Sequence, residues 1–378
     1  MSGAQPGTEE LGSEEGRDPQ DIDVAIILAS QHEGGAYPAG ASFSQYDQCW
    51  LRDGSFIAYA MDVAGQHDSA SRFHRWVART VMAHEAVVHD LVARRERDEG
   101  IGEFDFLPAR FTPKGEWLQD GWPNFQLDGY GQWLWSLSEH LAKTGVTELP
   151  GDLRPAVELV VDYLLAFWDE PCYDAWEEGR SQLHTATLAS IFAGLRAVSD
   201  RYLPRAAEGA ERVRRMVLTE CVEGGRFVKC IGNPAVDASL LWLSTPFALV
   251  SETDPRMVAT VARIEADLVH GGGVRRYAAD TYYGGGEWIL LTAWLAWYEA
   301  RVGARDRARS RLAWVEAQRD EDGGLPEQVP GARVNERFLE HWTRRWGPAA
   351  SPLLWSHAMT SVARDVLRDR DGSEGAAS

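Results

Sequence analysis

The sequence predicts an all-α protein in which about six helical hairpins close into a single ring. Three observations lead to this prediction. Apolar residues recur at helical spacing along most of the 378 residues, and strand-type alternation is scarce. About a dozen such segments follow one another without a linker rich in proline, glycine or serine. Every second connection is long, as expected where hairpins stand side by side and their loops gather at one end.

The helical segments can be justified in chain order from capping and periodicity. The first, at 21–31, opens with an aspartate that can cap its amino end, and short helical segments are expected at 54–64 and 237–243. Long amphipathic stretches account for the remainder. They span residues 71–95, 130–145, 155–168, 184–202, 204–222, 255–269, 287–303, 305–324 and 351–369. A closed ring buries one face of each helix against its neighbours, so no capping repeats are needed.

The two ends of the chain differ in composition from the middle. Residues 1–20 are acidic and rich in small residues, and residues 370–378 are polar, so both are predicted to be disordered tails. One domain is therefore expected over 21–369. The amino terminus has no basic and apolar signal pattern, and no apolar run approaches the roughly 18 residues that cross a bilayer. We expect a cytoplasmic protein without a membrane partner.

Composition disfavours several classes of partner. The formal net charge is -19, from 38 Lys and Arg against 57 Asp and Glu, which argues against binding to nucleic acid or to an anionic membrane. A neutral small molecule such as a sugar is compatible with this charge, although the acidity can equally serve solubility alone. The four cysteines are scattered, and no histidines stand at metal-ligand spacing. We therefore expect neither zinc nor a disulfide framework.

Five of the long connections share a chemistry rich in Trp, Tyr, Asp, Glu, Arg and Gly. They span residues 34–55, 111–129, 168–183, 271–288 and 320–338. Aromatic rings can stack on the C–H faces of a pyranose, while carboxylates and guanidinium groups bind its hydroxyls. The first loop contains Arg52 and Asp53, which form either a structural ion pair or a clamp for vicinal hydroxyls. Because loops at one end of a ring can line a common pocket, they predict a sugar site.

Cleavage of a glycosidic bond requires two carboxyl groups, one as acid for the leaving oxygen and one as base or nucleophile. Glu177 is the candidate acid, because the neighbouring Trp176 and Glu178 supply an indole and a like charge that can raise its pKa. The alternative is an acidic first turn of a helix. Glu327 lies in the turn-rich stretch GGLPEQVPG. Its alternative is an exposed loop acid.

Six blocks of sequence, in order along the chain, resemble glycoside hydrolase family 15, the glucoamylase-type enzymes. The blocks are YDQCWLRDGSF, NFQLDGYG, YDAWEEG, RYAADTYYGGGEW, LPEQ and PLLWSHA. The resemblance extends over nearly the whole chain, and six blocks in the right order are far more specific than any one of them. It implies an (α/α)6 barrel, a toroid of six helical hairpins, which agrees with the helix pattern.

The resemblance also implies a role for individual residues. Glu177 matches the general acid of the family, Glu327 its general base, and Tyr46 a tyrosine near the base or its water. Arg52 and Asp53 match residues that hold the far hydroxyls of the terminal glucose. The other residues expected to bind substrate are Trp50, Trp122, Trp176, Glu178, Arg276, Tyr282 and Trp288. No metal and no organic cofactor is implied for catalysis.

The implied activity is exo-acting, inverting hydrolysis of short α-glucosides, with release of β-glucose from the non-reducing end. The sequence shows neither an added β-sandwich nor a starch-binding module, which favours a short oligosaccharide over starch. Isomaltose and isomaltooligosaccharides are the first expectation. Maltooligosaccharides, trehalose and a glucose-bearing specialised metabolite remain alternatives. A sugar-binding protein, an epimerase and a zinc-dependent or terpene cyclase are rival classes for such a ring, but the paired glutamates favour a hydrolase.

Overall fold

The computed structural model describes residues 18–40, 45–118, 120–122, 124–331 and 335–375, with side chains as far as Arg368. Thirteen α-helices lie within these ranges and are numbered in chain order. Helices α1 to α13 span Pro19–Ser30, Leu51–Val63, His67–Met82, Glu85–Glu96, Asp128–Lys143, Arg154–Phe167, Thr185–Arg201, Ala207–Glu220, Pro255–Leu268, Ile289–Arg301, Arg305–Glu316, Glu336–Trp346 and Leu354–Gly375. Short 3-10 helices span Glu103–Asp105, Pro204–Ala206, Ala238–Leu243 and Tyr282–Gly284. The predicted all-α class is confirmed.

Eight strands of two residues each lie in the connections between helices within the described ranges. Strands β1 to β8 span Cys49–Trp50, Arg110–Phe111, Val222–Glu223, Arg226–Phe227, Val269–His270, Gly273–Val274, Glu287–Trp288 and Gln328–Val329. β1 pairs with β2, β3 pairs with β4, and β5 to β8 form an antiparallel sheet in chain order. Trp288 pairs with Gln328 across β7 and β8, so the amino end of α10 lies beside the loop that carries Glu327.

The inner wall of the ring consists of six elements, namely α2, α5, α7, the 3-10 helix Ala238–Leu243, α10 and α13. Each packs against the next, and α13 packs against α2, so the ring is closed. Six outer helices, α1, α3, α6, α8, α9 and α11, precede these elements along the chain and pack on the wall from outside. The arrangement is the predicted (α/α)6 barrel. One inner position is a 3-10 helix, in the place where the sequence indicated only a short helical segment.

Two helices depart from the sequence prediction. The single helix expected over 71–95 is wrong, because α3 and α4 are separated by a turn at Ala83 and His84. The ring of His84 packs between Phe111 and Trp117, with centroids 5.8 and 5.5 Å away, so tertiary packing rather than a helix-breaking residue sets the turn. Helix α12 was not predicted, because its first residues fall within a segment assigned to a loop.

The ends of the described chain extend past the expected boundaries. Asp18 caps α1 by accepting a backbone N–H hydrogen bond at 2.9 Å, so the helix begins at Pro19 rather than after an aspartate cap at Asp21. Helix α13 continues to Gly375, beyond residue 370. Residues 1–17, which make up most of the expected amino-terminal tail, lie outside the described residues. Among the described helices, none combines the length and the apolar character required to cross a membrane.

Aromatic rings fill the centre of the ring of helices. Phe56 of α2 is wholly buried, and five aromatic rings lie with their centroids 5.4 to 6.0 Å from its own. These rings belong to Trp135, Trp242, Phe247, Trp294 and Trp355. Burial and ring packing of this kind contribute favourably to the free energy of folding. We call this group the aromatic floor, because Trp355 also lines the cavity described below.

Helices α5 and α7 approach each other closely at two glycines. A Cβ atom at Gly131 would lie 2.3 Å from the carbonyl oxygen of Ser190, and one at Gly194 would lie 2.3 Å from that of Gly131. Both distances are far shorter than van der Waals contact. Glycine is therefore required here for space between the two backbones.

A buried ion cluster connects the first helix to the last. Asp23 of α1 hydrogen-bonds His357 Nδ1 at 2.7 Å and pairs with Arg319 at 2.9 Å and Arg364 at 3.0 Å. Burial alone would raise the pKa of Asp23, but the hydrogen bond with His357 and the two arginine charges bring the pKa below its ordinary value. The backbone N–H of Leu325 donates to His357 Nε2 at 2.9 Å. The cluster therefore also holds the loop before β8.

Candidate active site

A cavity of about 660 Å³ opens at one end of the ring, with Trp355 of the aromatic floor in its lining. All twelve side chains named from the sequence line this cavity: Tyr46, Trp50, Arg52, Asp53, Trp122, Trp176, Glu177, Glu178, Arg276, Tyr282, Trp288 and Glu327. They come from the five long loops and from the adjoining first residues of α2. The closed ring explains this convergence, because these loops leave the wall at the same end.

Glu177 sits in a tight turn before α7. Its backbone has φ of 65°, in the left-handed region that non-glycine residues rarely adopt. The Asp174 side chain holds the turn, because its Oδ1 accepts the backbone N–H groups of Trp176 and Glu178, each at 2.9 Å. The alternative of an acidic first helical turn is therefore wrong, since α7 begins only at Thr185.

Two indole N–H groups bind the carboxyl group of Glu177. Trp50 Nε1 donates to Oε1 and Trp122 Nε1 donates to Oε2, each at 2.5 Å. The two sequence neighbours, Trp176 and Glu178, have hydrogen-bond partners of their own. Trp176 Nε1 instead donates to the buried Asp237 at 3.0 Å, and the Glu178 carboxylate accepts hydrogen bonds of its own. Residues distant in the sequence thus define the surroundings of this acid.

Glu327 is buried, with 4% of its surface exposed, so the alternative of an exposed loop acid is wrong. Tyr46 donates a hydrogen bond to Oε1 at 2.9 Å, and the Tyr46 and Tyr282 hydroxyls are 2.8 Å apart. Oε2 has no hydrogen-bond partner within the described part of the chain. Burial raises the pKa of Glu327 to about 8, while the Tyr46 hydrogen bond and the Arg276 charge oppose this increase.

Arg52 and Asp53 form a buried ion pair at the amino end of α2, with 3.3 Å between Arg52 Nε and Asp53 Oδ2. Arg52 also donates to Gln126 Oε1 at 2.7 Å and lies 5.4 Å from the Trp355 ring centroid. Burial raises the pKa of Asp53 to about 6, and the charge of Arg52 opposes this shift. The pair lines the cavity, so the structural ion pair and a clamp for hydroxyls are compatible rather than exclusive.

Arg276 places a positive charge in the wall of the cavity. Asp280 accepts two hydrogen bonds from its guanidinium group, at 2.8 and 2.6 Å. The same group lies 5.2 to 5.5 Å from the ring centroids of Trp176, Tyr282 and Trp288. These contacts fix the plane of the guanidinium group.

Glu178 stands beside this arginine. Its Oε2 accepts a hydrogen bond from Tyr277 at 2.5 Å, and its Oε1 lies 3.4 Å from Arg276 Nη2. Burial raises the pKa of Glu178, whereas the arginine charge and the tyrosine hydrogen bond lower it. Tyr277 is adjacent to a predicted residue in the sequence but was not itself named as part of the site.

The sequence reasoning also missed the residues that α12 contributes to the cavity: Trp342, Arg345 and Trp346. The Trp342 ring centroid lies 5.1 Å from that of Tyr282, and Arg345 lies 4.8 Å from the Trp346 ring. The run WTRRW has the same mixture of tryptophan and arginine as the predicted loops. That composition could have identified the segment.

A closed ring of helical hairpins with two glutamates facing an aromatic, arginine-lined cavity defines the class of the protein, a glycoside hydrolase. Residues 22–320 match the profile of Glycosyl hydrolases family 15, and the chain belongs to this family. The matched range contains every predicted site residue except Glu327, which lies seven residues beyond it.

Individual relatives agree with this assignment. An isomaltose glucohydrolase from Kribbella flavida is 44% identical over 354 residues, which cover 91% of each chain. A solved glycosidase in complex with glucose is 42% identical, has a TM-score of 0.90, and aligns over 93% of this chain and 96% of its own. A bacterial glucoamylase complexed with acarbose shares the fold, with a TM-score of 0.70 at 19% identity over 93% of this chain and 57% of its own.

Proposed function

We propose that this protein is an exo-acting, inverting α-glucosidase in which Glu177 is the general acid and Glu327 the general base. The observation that carries the proposal is that both glutamates line one cavity, at the two positions where the sequence resemblance expects the acid and the base. Glu177 is held by two indole N–H groups, whereas Glu327 is held by a tyrosine hydroxyl. The rings of Tyr46 and Trp50, whose centroids are 5.8 Å apart, connect the two settings.

The proposed reaction follows from these contacts. Glu177 transfers a proton to the glycosidic oxygen as the bond from that oxygen to the anomeric carbon breaks. A water molecule attacks the opposite face of the sugar and gives its proton to Glu327, so an α-glucoside yields β-glucose. The buried Glu327 Oε2 is suited to accept from this water, because Tyr46 already binds the other oxygen. Tyr46 thereby orients the base.

The walls of the cavity support a division into two parts. Arg52 and Asp53, above the aromatic floor, are suited to the hydroxyls of a terminal glucose. Glu178 and Arg276, with the α12 side chains, are suited to the leaving group. A cavity of about 660 Å³ with an aromatic floor favours a short substrate that enters by one end.

Isomaltose and isomaltooligosaccharides are the first substrates proposed. The support is the isomaltose glucohydrolase relative, which matches over 91% of both chains. Maltooligosaccharides, trehalose and a glucose-bearing specialised metabolite are the alternatives. A cytoplasmic location also forms part of the proposal, supported by four cysteines that are all buried and free of disulfide bonds.

Two glutamate variants test the roles. Glu177→Gln and Glu327→Ala should each lower kcat for isomaltose by about 10²- to 10⁴-fold, the usual contribution of a general acid or base. Glu321→Gln, an exposed acid in the same loop as Glu327, should retain full turnover. Proton NMR of the fresh product should detect the β anomer before mutarotation. Near-normal turnover in either glutamate variant, or release of the α anomer, would contradict the mechanism.

A panel of disaccharides tests the substrate separately. Isomaltose, maltose and trehalose are compared at one concentration, and kcat/KM should be highest for isomaltose. Faster hydrolysis of maltose or trehalose would overturn the proposed order of substrates. It would leave the assignment of Glu177 and Glu327 intact, because that assignment is tested by the variants.

A further inference from the structure

A cluster of one carboxylate and two imidazole side chains lies away from the cavity. It consists of Asp62 on the last turn of α2, His74 on α3 and His140 on the last turn of α5. One ligand-type atom from each residue lies within 4.8 Å of the others, and all three residues are buried. Asp53 lies nine residues earlier on α2, or about 14 Å along the helix axis. The cluster therefore stands at the other end of α2 from the cavity.

The Asp62 carboxylate is wholly buried, and its ion-pair partners in the described part of the chain are both histidines. His140 Nδ1 lies 2.9 and 3.0 Å from its two oxygens, and His67 Nδ1 lies 2.7 Å from Oδ1. A positive charge stabilises a buried carboxylate more strongly than neutral hydrogen-bond donors do. Histidine supplies one only when it is protonated, whereas a divalent cation supplies one directly.

His74 provides a second, independent observation. The residue has 0% of its surface exposed, and neither Nδ1 nor Nε2 has a hydrogen-bond partner among the described residues. Its ring centroid lies 5.1 Å from that of His140, which faces Asp62. Burial of an unpaired imidazole is costly, so such a group requires an explanation. A ligand bond from one of its nitrogens would supply it.

We propose that Asp62, His74 and His140 bind a divalent cation of the zinc type. One carboxylate oxygen and two imidazole nitrogens suit Zn²⁺, which leaves a fourth position for water. His67 contacts Asp62 from the more exposed side and would orient the carboxylate. The ion would join α2, α3 and α5 and stabilise this end of the ring without taking part in hydrolysis.

The proposal departs from the expectation that the chain has no metal site. The ligands are separated by 12 and 66 residues along the sequence, so no local spacing pattern indicates them. Only the packing of α2 against both α3 and α5 brings them together. The full chain without an affinity tag is the suitable sample, because a histidine tag would itself bind zinc.

Zinc binding to the wild-type protein is the first test. The tag-free chain, stripped with a chelator and dialysed, should retain about one Zn²⁺ per chain after titration with zinc chloride and removal of excess metal. Elemental analysis measures the metal, and the Tm should rise with free Zn²⁺. A chain that retains no zinc and has the same Tm at every zinc concentration would overturn the proposal.

Variants then locate the ion. Asp62→Asn and His74→Gln should each weaken Zn²⁺ binding at least ~10-fold, since loss of even an outer partner commonly costs that much. His89→Gln, an exposed histidine on α4, is the matched control and should bind as the wild type does. Unchanged binding in both ligand variants would place the metal elsewhere and overturn the assignment. Should a variant not fold, a wild-type chain that retains no zinc still overturns the proposal.

Activity separates a structural ion from a catalytic one. At a temperature well below both Tm values, the zinc-loaded and zinc-free chains should hydrolyse isomaltose at equal rates, since the cluster is remote from Glu177 and Glu327. Loss of hydrolysis in a zinc-free chain that is still folded would contradict the structural role.

Discussion

Replacement of Asp23 by asparagine tests how the first helix is joined to the last. The substitution keeps the shape of the side chain but removes the negative charge that His357, Arg319 and Arg364 surround. Loss of one partner from a buried ion cluster costs about 3 kcal/mol at the lower end of the usual range. The entropy of unfolding of a chain of this length is about 0.8 kcal/mol/K, so the expected decrease in Tm is about 4 °C.

Differential scanning calorimetry measures this decrease, with Asp18→Asn as the matched control. Asp18 also joins α1 to α13, through Arg368, but both of its ion-pair side chains are exposed, so a change within about 1 °C is expected. Because the folded-state pKa of Asp23 is lowered, its contribution is present above the unfolded pKa near 3.9 and is lost as the pH falls through the folded pKa. The Tm difference should persist from about pH 5 to 7 and shrink below about pH 4. Equal Tm values for Asp23→Asn and the wild type at pH 7 would refute the reasoning.

Three further substitutions address packing and the base. Gly131→Ala should lower the free energy of unfolding by about 1–3 kcal/mol, because the added Cβ forces α5 away from α7. Gly151→Ala is the control, since no atom lies within 4 Å of its added Cβ, and it should unfold like the wild type. Equal thermal stability of the two variants would contradict the close approach of the helices. Phe56→Ala should lower the free energy of unfolding, measured with denaturant, by about 3–5 kcal/mol, because five aromatic rings lose their common neighbour. A decrease below about 1 kcal/mol would contradict tight packing of the aromatic floor. Tyr46→Phe removes a hydrogen bond that lowers the pKa of Glu327. The ascending limb of the pH profile of kcat/KM should therefore move to higher pH. An unchanged limb would show that this hydrogen bond does not stabilise the ionised form of Glu327.

Helical periodicity was sufficient to predict the fold, because each inner and outer helix buries an apolar face of its own. The contacts that join the two ends of the chain could not be predicted from periodicity. The buried contact of Asp23 with His357 joins residues more than 300 positions apart, and nothing in the local pattern of either helix indicates it. The break before α4 has a similar cause, since His84 is placed by rings from a distant loop.

Composition and the family resemblance were sufficient to name twelve residues of the cavity, but they missed those of α12 and did not indicate which partners each residue binds. Glu177 was expected to depend on Trp176 beside it, yet Trp50 and Trp122 bind its carboxyl group. Glu177 lies in a turn with positive φ, which is held locally by hydrogen bonds from the Trp176 and Glu178 N–H groups to the Asp174 side chain. Sequence adjacency therefore predicts chemistry poorly where the backbone reverses direction.

Buried ionic groups, and not apolar packing alone, hold the loops that carry Glu177 and Glu327. Near the Glu177 turn, Lys229 pairs with Asp237 at 2.9 Å, and Asp237 accepts a hydrogen bond from Trp176. Near the Glu327 loop, Asp23 binds His357, which accepts a hydrogen bond from Leu325. Burial opposes ionisation of both aspartates, but their partners hold each pKa below its ordinary value. Burial raises the pKa of Glu327 instead, so both aspartates stay charged to a lower pH than Glu327 does. We therefore predict that activity lost on moderate acidification comes from protonation of Glu327, the proposed base, whereas loss of the supporting loops requires a much lower pH.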